Sequence, residues 1–477
     1  MWPFGKKKET VSLRFTNTLS GAKEEFRKKD AGPVRMYSCG PTVYGPQHIG
    51  NLRSAVFYDT VARTLKVSGY SVKRIVNITD VGHLVGDGDE GEDKMAVGAA
   101  RDNTTPEAIA EKYTNRYLDD IRALNIDTND ITFPRATGYI QEQIQMIQAL
   151  MSKGLAYKTS DGVYFDTAHF PDYGILGNVK NVKLEAGRRV AVGDKKNEHD
   201  FVLWRSAKSN DLQQWDSPWG KGNPGWSIEC SAMATKLLGS TIDIHTGGQD
   251  HIQVHHNNEI AQSEGATGKK PYVRYWLHHA FLTIGGEKIS KSLGNTYTLD
   301  DVKAHHVHPL ALRYLFLQAH YRTPVSFTWE SLESANVALH RLWKLARSVR
   351  KNSGGKSPTK RTLPVQTILA DDFNTAEVLG RLWSELDSQE GSASDKWASL
   401  EVAESVLGLS LTNPPQEAEA LSIETLPEDI AVLAKEREEA RKNKDFARSD
   451  ELRIHLKERG YHVDDTPSGT IYTKVSK

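Results

Sequence analysis

Hydrophobic and polar positions change period several times along this chain. Val34–Ser38 is a short apolar run ending at Cys39-Gly40-Pro41, a sharp turn signal, and predicts a strand. Beyond it Ala55, Tyr58, Val61, Ala62 and Leu65 keep the spacing of one helix face. Val72–Ile78 then predicts a second buried strand. Strand, glycine-bearing turn, helix and strand make a βαβ unit. The front of the chain therefore predicts an α/β fold with a Rossmann-like, doubly wound parallel sheet.

The pattern shifts between about residues 133 and 225. Ile140, Ile144, Ile147 and Leu150 mark an amphipathic helix, and the polar stretch after it reads as irregular. Strand signals return at Ile242–His245 and Tyr275–Phe281. The middle is thus expected to be an insertion that splits one nucleotide-binding domain. The expected organisation is a first half at 1–132, a connective insertion at 133–225 and a second half at 226–300. A helical region at 301–350, a Gly/Ser/Pro-rich linker at 351–364 and an all-α region at 365–477 follow. Within the last, Pro427–Asn443 and Asp445–Arg459 predict a helical pair, with Gly460 ending the second and Tyr461–Lys474 forming a hairpin.

Composition narrows the class without deciding it. The 477 residues are 38% hydrophobic and 26% charged, as in soluble proteins. No run of about 18 apolar residues occurs, so no membrane span is expected. The start, Met1-Trp2-Pro3-Phe4 before Lys6-Lys7-Lys8, lacks an apolar stretch after its charges, and a cytoplasmic location is expected. Lys plus Arg and Asp plus Glu both number 61, so a nucleic-acid partner needs local basic patches, not a global field. Asp87–Asp93 has alternating acids, but Gly91 stands where a calcium loop wants Asp or Asn, and a solvated loop is expected.

Two segments are suited to phosphate chemistry. His48-Ile49-Gly50-Asn51 opens a helix, where backbone N–H groups and an imidazole can face an anion. Lys288-Ile289-Ser290-Lys291-Ser292 lies between Gly285-Gly286 and Gly294, and its lysines can neutralise a triphosphate. Gly40 and Gly50 let backbone pass close to a ligand. Gly248 and Asp250 follow a strand, where an acid can accept from ribose hydroxyls. Taken singly, His48 also fits a surface helix cap, and the lysines a solvated turn.

Together the two segments resemble the paired HIGH and KMSKS motifs of class I aminoacyl-tRNA synthetases. The resemblance narrows to the cysteinyl-tRNA synthetase family at Cys39-Gly40-Pro41-Thr42-Val43-Tyr44, at Gly225-Trp226-Ser227-Ile228-Glu229-Cys230-Ser231-Ala232-Met233, and at His255-His256-Asn257-Asn258-Glu259. It implies one zinc ion per chain, held by Cys39, Cys230, His255 and Glu259, which uses both cysteines of the chain. It also implies a cysteine pocket lined by Thr42 and Trp226, with His245 supporting the metal. ATP, accompanied by Mg²⁺, would be bound by Gly40, His48, Gly50, Asn51, Gly248, Asp250, Lys288 and Lys291, of which His48, Lys288 and Lys291 are the expected catalytic groups. Spacing agrees with part of this: His255 and Glu259 are i and i+4, on one helix face. Thiolate, imidazole and carboxylate all suit zinc. The remaining readings of the cysteines are buried inert thiols or a disulfide, which is uncommon in the cytosol.

The implied partners are ATP, L-cysteine and tRNA(Cys), with residues 301–350 as a helical stem-contact region, the C-terminal region reading the anticodon, and a monomeric state. Arg350, Lys351, Lys356, Lys360 and Arg361 suit phosphate contacts. The sequence departs from the family at Gly82-His83, at His251-Ile252-Gln253-Val254, and at Asn257, where an acid is usual. Two alternatives share parts of this pattern. One is the related ligase joining cysteine to an amino sugar in mycothiol synthesis, which lacks the long C-terminal helical region. The other is a tRNA- or zinc-binding paralogue without catalysis.

Overall fold

A computed structural model describes residues 12–82, 93–181, 195–209, 211–288, 296–353, 363–416, 420–466 and 469–474. Its centre is a five-stranded parallel sheet. The strands are β1 (Val34–Ser38), β2 (Val72–Val76), β3 (Ile131–Thr132), β4 (Ile242–Gly248) and β5 (Val273–His279). Their spatial order is β5-β4-β1-β2-β3, every pairing parallel. The chain runs outward from β1 to β3, then returns to lay β4 on the other side of β1. The crevice beyond the carboxyl ends of β1 and β4 is where such a sheet binds ligands.

Helix α1 (Ile49–Val67) connects β1 to β2 and buries Leu52, Val56, Val61 and Leu65. Sequence periodicity located it although it is buried on nearly all sides, with Arg53, Asp59 and Thr64 enclosed beside its apolar residues. Helices α2 (Trp226–Leu238) and α3 (His255–Thr267) flank β4 in the chain and are buried along almost their whole length. A helix apolar on one stripe only would not tolerate that. Polar residues of α3 such as Asn257 and Gln262 are fully enclosed, so each must find a partner. Asn257, the departure noted above, donates to the Leu176 and Ile252 carbonyls and accepts from the Leu176 amide.

Between β3 and β4 the chain is more regular than expected. After the helix Ile140–Ser152, four short strands at Ala156–Lys158, Gly162–Phe165, Phe201–Ser206 and Gly222–Pro224 form an antiparallel sheet. Strands of three to six residues leave too few alternations for a period to show.

The C-terminal half divides otherwise than expected. Helix α4 (Trp329–Ser353) continues three residues into the predicted linker, and 354–362 lie outside the described residues. Helices Val365–Leu369, Thr375–Asp387 and Ala393–Leu407 bury Leu369, Val378, Leu382 and Leu407 in the same core as α1 and α4. A separate small core follows, closed by Leu426, Ile430, Leu456, Val463 and Tyr472. The cores therefore divide after residue 411, not at 364: an amphipathic pattern shows that a helix has a buried face, not which core receives it. This last unit holds helices Glu428–Lys442 and Phe446–Glu458, and the expected hairpin at Tyr461–Thr466 and Gly469–Lys474. With Ala420–Leu421 the hairpin makes a three-stranded sheet, so the region is helical but not all-α. Gly460, with φ +84°, is the left-handed residue that ends the second helix. No helix among the described residues is long and apolar enough to cross a membrane.

Candidate active site and metal centre

Cys39 is the first residue past β1, and its backbone N–H donates to Thr246 O of β4 at 3.2 Å. This bond ties the two central strands together at the crevice. The side chain of Asn77 accepts from the Gly40 N–H at 2.9 Å. A Cβ on Gly40 would overlap the Asn77 carbonyl, so only glycine permits this approach. Cys230 lies one turn into α2, and His255 and Glu259 open α3. All four donor atoms, from Cys39, Cys230, His255 and Glu259, lie within 4.8 Å of one another.

The donor set fits a zinc ion. Two thiols, an imidazole and a carboxylate are its preferred ligand types. Glu259 Oε1 is fully buried and makes no hydrogen bond, with His255 Nε2 at 3.3 Å. A buried carboxylate oxygen left in that state is costly unless a cation completes it. The other oxygen, Oε2, is 3.0 Å from His245 Nε2 and accepts from Tyr272 OH at 3.3 Å. Behind Cys39, His256 Nε2 stands 3.3 Å from the sulfur, and His256 Nδ1 stands 2.7 Å from His278 Nε2. Gly247 makes room for this packing, since a Cβ there would meet His256 Cε1 at 2.6 Å.

Burial and neighbouring charge separate these groups electrostatically. Burial pushes the Cys39 thiol well above its ordinary range, while its hydrogen bond to Cys230 pulls the Cys230 thiol down. Burial also opposes charge on His255, but Cys230 and Glu259 outweigh it and raise the imidazole to about 10. Glu259 is held at about 2, its burial more than offset by His245 and His255. Burial drives His256 and His278 well down, so both stay neutral. The site therefore sets two neutral imidazoles, His256 and His278, behind a charged His255, one carboxylate and one acidic thiol.

Sequence reasoning singled out His245 but missed His256 and His278. Cys39, His245, His256 and Glu259 form a second donor set of the same compactness, sharing two residues with the first. Three of the four residues in that set had been noticed. His256 was missed because the sequence shows it only as part of the motif around His255, with nothing local to say that its ring turns back to Cys39.

Trp226 begins α2, half-buried, with its ring centroid 4.5 Å from that of His255 and Lys94 Nζ 5.5 Å from its own. Thr42 pairs with Thr79, whose hydroxyl donates to Glu229 Oε2 at 3.1 Å, next to Cys230. His48 is the N-cap of α1, and its Nδ1 accepts from the Asn51 N–H at 3.2 Å. Gly50 and Asn51 lie in the first turn, while Gly248 ends β4 and exposed Asp250 follows in the single turn Gln249–His251. Lys288 ends the strand Glu287–Lys288, reached from Leu282–Ile284 through Gly285 and Gly286, both with positive φ. Lys291 and the acidic residues 87–92 lie outside the described residues.

Comparison with known proteins agrees with this geometry. The profile of the class I (C) tRNA synthetase catalytic domain matches residues 25–337, and that of the cysteinyl-tRNA ligase anticodon-binding domain matches 424–472. Cysteine–tRNA ligase 1 of Burkholderia lata is 44% identical over 462 residues, covering 96% of each chain. The cysteine–tRNA ligase of Chlorobium luteolum is 41% identical over 484 residues, covering 98% of this chain and 100% of its own. Methionyl-tRNA synthetase of Mycobacterium tuberculosis, solved with methionyl-adenylate, shares the fold at a TM-score of 0.52 and 18% identity, over 79% of this chain and 82% of its own. The small C-terminal core, the parallel sheet with its split halves and near-full-length similarity agree: this chain belongs to the cysteine–tRNA ligase family of class I aminoacyl-tRNA synthetases.

Proposed function

We infer that the protein activates L-cysteine with ATP and transfers it to the 3′-terminal ribose of tRNA(Cys), selecting its substrate through zinc. The observation that carries this reading is the convergence of Cys39, Cys230, His255 and Glu259 at the carboxyl ends of β1 and β4. Those four side chains would hold one zinc ion, and when bound it supplies a thiophilic Lewis acid that prefers the cysteine sulfur to a serine hydroxyl. A hydrophobic pocket alone separates such near-isosteres only about 100-fold.

The rest of the chemistry falls to the chain. Thr42 and Trp226 line the amino-acid pocket and orient its carboxylate toward ATP. A carboxylate oxygen attacks the α-phosphorus, the bond to pyrophosphate breaks, and cysteinyl-adenylate forms. His48 at the start of α1, with Lys288 and Lys291, neutralises the charge that develops on the α-phosphate and departing pyrophosphate. Gly40 and Gly50 allow close backbone approach, Asn51 joins them in binding ATP, Gly248 and Asp250 hold the ribose, and Mg²⁺ accompanies the triphosphate. A hydroxyl of the terminal ribose then attacks the acyl carbon and AMP leaves. No protein nucleophile takes part, so proximity and electrostatics supply the acceleration.

Residues 424–472 read the anticodon and the helical region at 301–350 is a stem-contact region, with the enzyme acting as a cytoplasmic monomer. The match at 424–472 supports a tRNA acceptor over an amino sugar. The deciding experiment measures cysteine-dependent exchange of labelled pyrophosphate into ATP, charging of tRNA(Cys), and zinc per chain in wild type and Cys230→Ser. Metal-free protein that still charges tRNA, or equal use of serine, would overturn the reading.

A further inference from the structure

Arg53 lies one turn into α1, past His48, and only 3% of its surface is exposed. Among the described residues it forms no ion pair with a carboxylate. Its guanidinium is spent on three backbone carbonyls. Nη1 donates to Phe281 O at 2.6 Å, and Nη2 donates to Thr323 O at 2.7 Å and Tyr321 O at 3.4 Å. Burial without a counter-charge lowers its pKa to about 10. A buried charge facing only dipoles is an expensive way to join segments that apolar packing would also hold. What the planar fork adds is geometry, because it fixes several acceptors at once.

Those acceptors lie on two particular segments. Phe281 immediately precedes the strand Leu282–Ile284, and Tyr321 and Thr323 lead into Val325–Phe327, its parallel neighbour. Past Ile284 the chain turns through Gly285-Gly286 and reaches Lys288, which pairs with Thr283. The next residue of α1, Ser54, adds a contact of 2.8 Å from its hydroxyl to His279 Nε2, at the end of β5. Downstream of Lys288, the chain is again referred to α1: the Ile49 N–H donates to Tyr297 O at 2.8 Å, and His48 pairs with Thr298. Both flanks of the segment carrying Lys288 are therefore anchored to the first turns of the helix that begins at His48.

We propose that Arg53 is a positioning residue for adenylate formation: its fork on the Phe281, Tyr321 and Thr323 carbonyls sets where the strand that carries Lys288 runs relative to His48. It touches neither ATP nor cysteine and acts through the strand pair it holds. This rests on the reading that His48 and Lys288 serve the phosphates of ATP.

The test is pyrophosphate exchange with full-length Arg53→Lys, Lys288→Ala and the double variant, alongside thermal melts and zinc content. Arg53→Lys keeps the charge and stem but loses the fork. It should lower kcat/KM for ATP about tenfold or more, as misplacement of about 1 Å at a reacting centre does. KM for cysteine and zinc content should stay within about twofold of wild type. In the Lys288→Ala background the same change should cost less than about twofold, because the group it positions is gone.

Exchange by Arg53→Lys at the wild-type rate overturns the proposal. So does an equal rise in KM for cysteine, a full multiplicative penalty on top of Lys288→Ala, or a loss matching the unfolded fraction in the melt. Arg53→Met, which keeps bulk without donors, should fall at least as far as Arg53→Lys; a milder effect also overturns it. Wild type without cysteine-dependent exchange, or Lys288→Ala as fast as wild type, would sink the parent reading and this one together. Normal behaviour of those two proteins with an unaffected Arg53→Lys would sink this one alone.

Discussion

His245 Nε2 and Glu259 Oε2 meet at 3.0 Å, both side chains wholly buried. The contact leaves Glu259 Oε1 directed at the thiol and imidazole donors, so a strand residue orients a helix residue toward the metal centre. Partners of this kind usually account for 10- to 100-fold in metal affinity. His245→Ala should therefore weaken zinc binding by about that factor in a chelator competition, although it removes none of the four proposed ligands. Unchanged affinity would show that Glu259 needs no such support.

Lys291→Ala should slow adenylate formation about a hundredfold or more, on the scale of losing one donor to a developing oxyanion. Single-turnover formation of cysteinyl-adenylate is the direct measurement. Zinc content should not change, since Lys291 is not among the four proposed ligands.

Gly40→Ala tests the crevice itself. The added methyl would overlap the Asn77 carbonyl and strain the turn that carries Cys39. Losses of about 1–3 kcal/mol in stability, as in other overpacked sites, and of zinc affinity together are expected. Denaturant unfolding combined with metal titration would show them.

Asp59 holds the body together through charge. Its Oδ2 accepts from Arg63 at 2.7 Å and from Arg313 at 2.8 Å, and Arg74 stands 3.4 Å from Oδ1. Burial resists its ionisation, but Arg63, Arg313 and Arg74 prevail and hold it at about 2. A depressed carboxylate stabilises the fold above its unfolded pKa, near 3.9, and that contribution disappears as pH falls through about 2. Asp59→Asn should cost about 3–5 kcal/mol at pH 7, because it leaves buried guanidinium groups uncompensated. Its deficit relative to wild type should shrink below about pH 4.

Asp120 has the opposite sign. Burial lifts it to about 6, and its Oδ2 lacks a hydrogen-bond partner. A raised carboxylate favours the fold only below the unfolded pKa, and that favour is lost as pH rises through about 6. Asp120→Asn should therefore stabilise the protein by about 1–2 kcal/mol at pH 7, with no gain by about pH 4. Thermal melts at both pH values decide it.

Much of the frame is legible in the sequence. The residues of β1 and α1 were located by apolar runs and turn signals, because β1 is buried between two cores and α1 on nearly all sides. His255 and Glu259 could be put on one helix face from their spacing alone. The short strands between residues 156 and 224 were not legible, because so few residues carry no measurable period. The helices from 365 to 407 were legible as helices but not as parts of the central core.

By itself the sequence determined the local conformations, the phosphate-suited segments and, through family resemblance, the four candidate ligands. Only the tertiary structure brought Cys39 and Cys230 to one place, ringed them with His245, His256 and His278, and set Arg53 on carbonyls far along the chain. Periodicity follows from how neighbouring residues share a helix or strand. Contacts across hundreds of residues follow from which faces the sheet order places together, and no local pattern encodes that order.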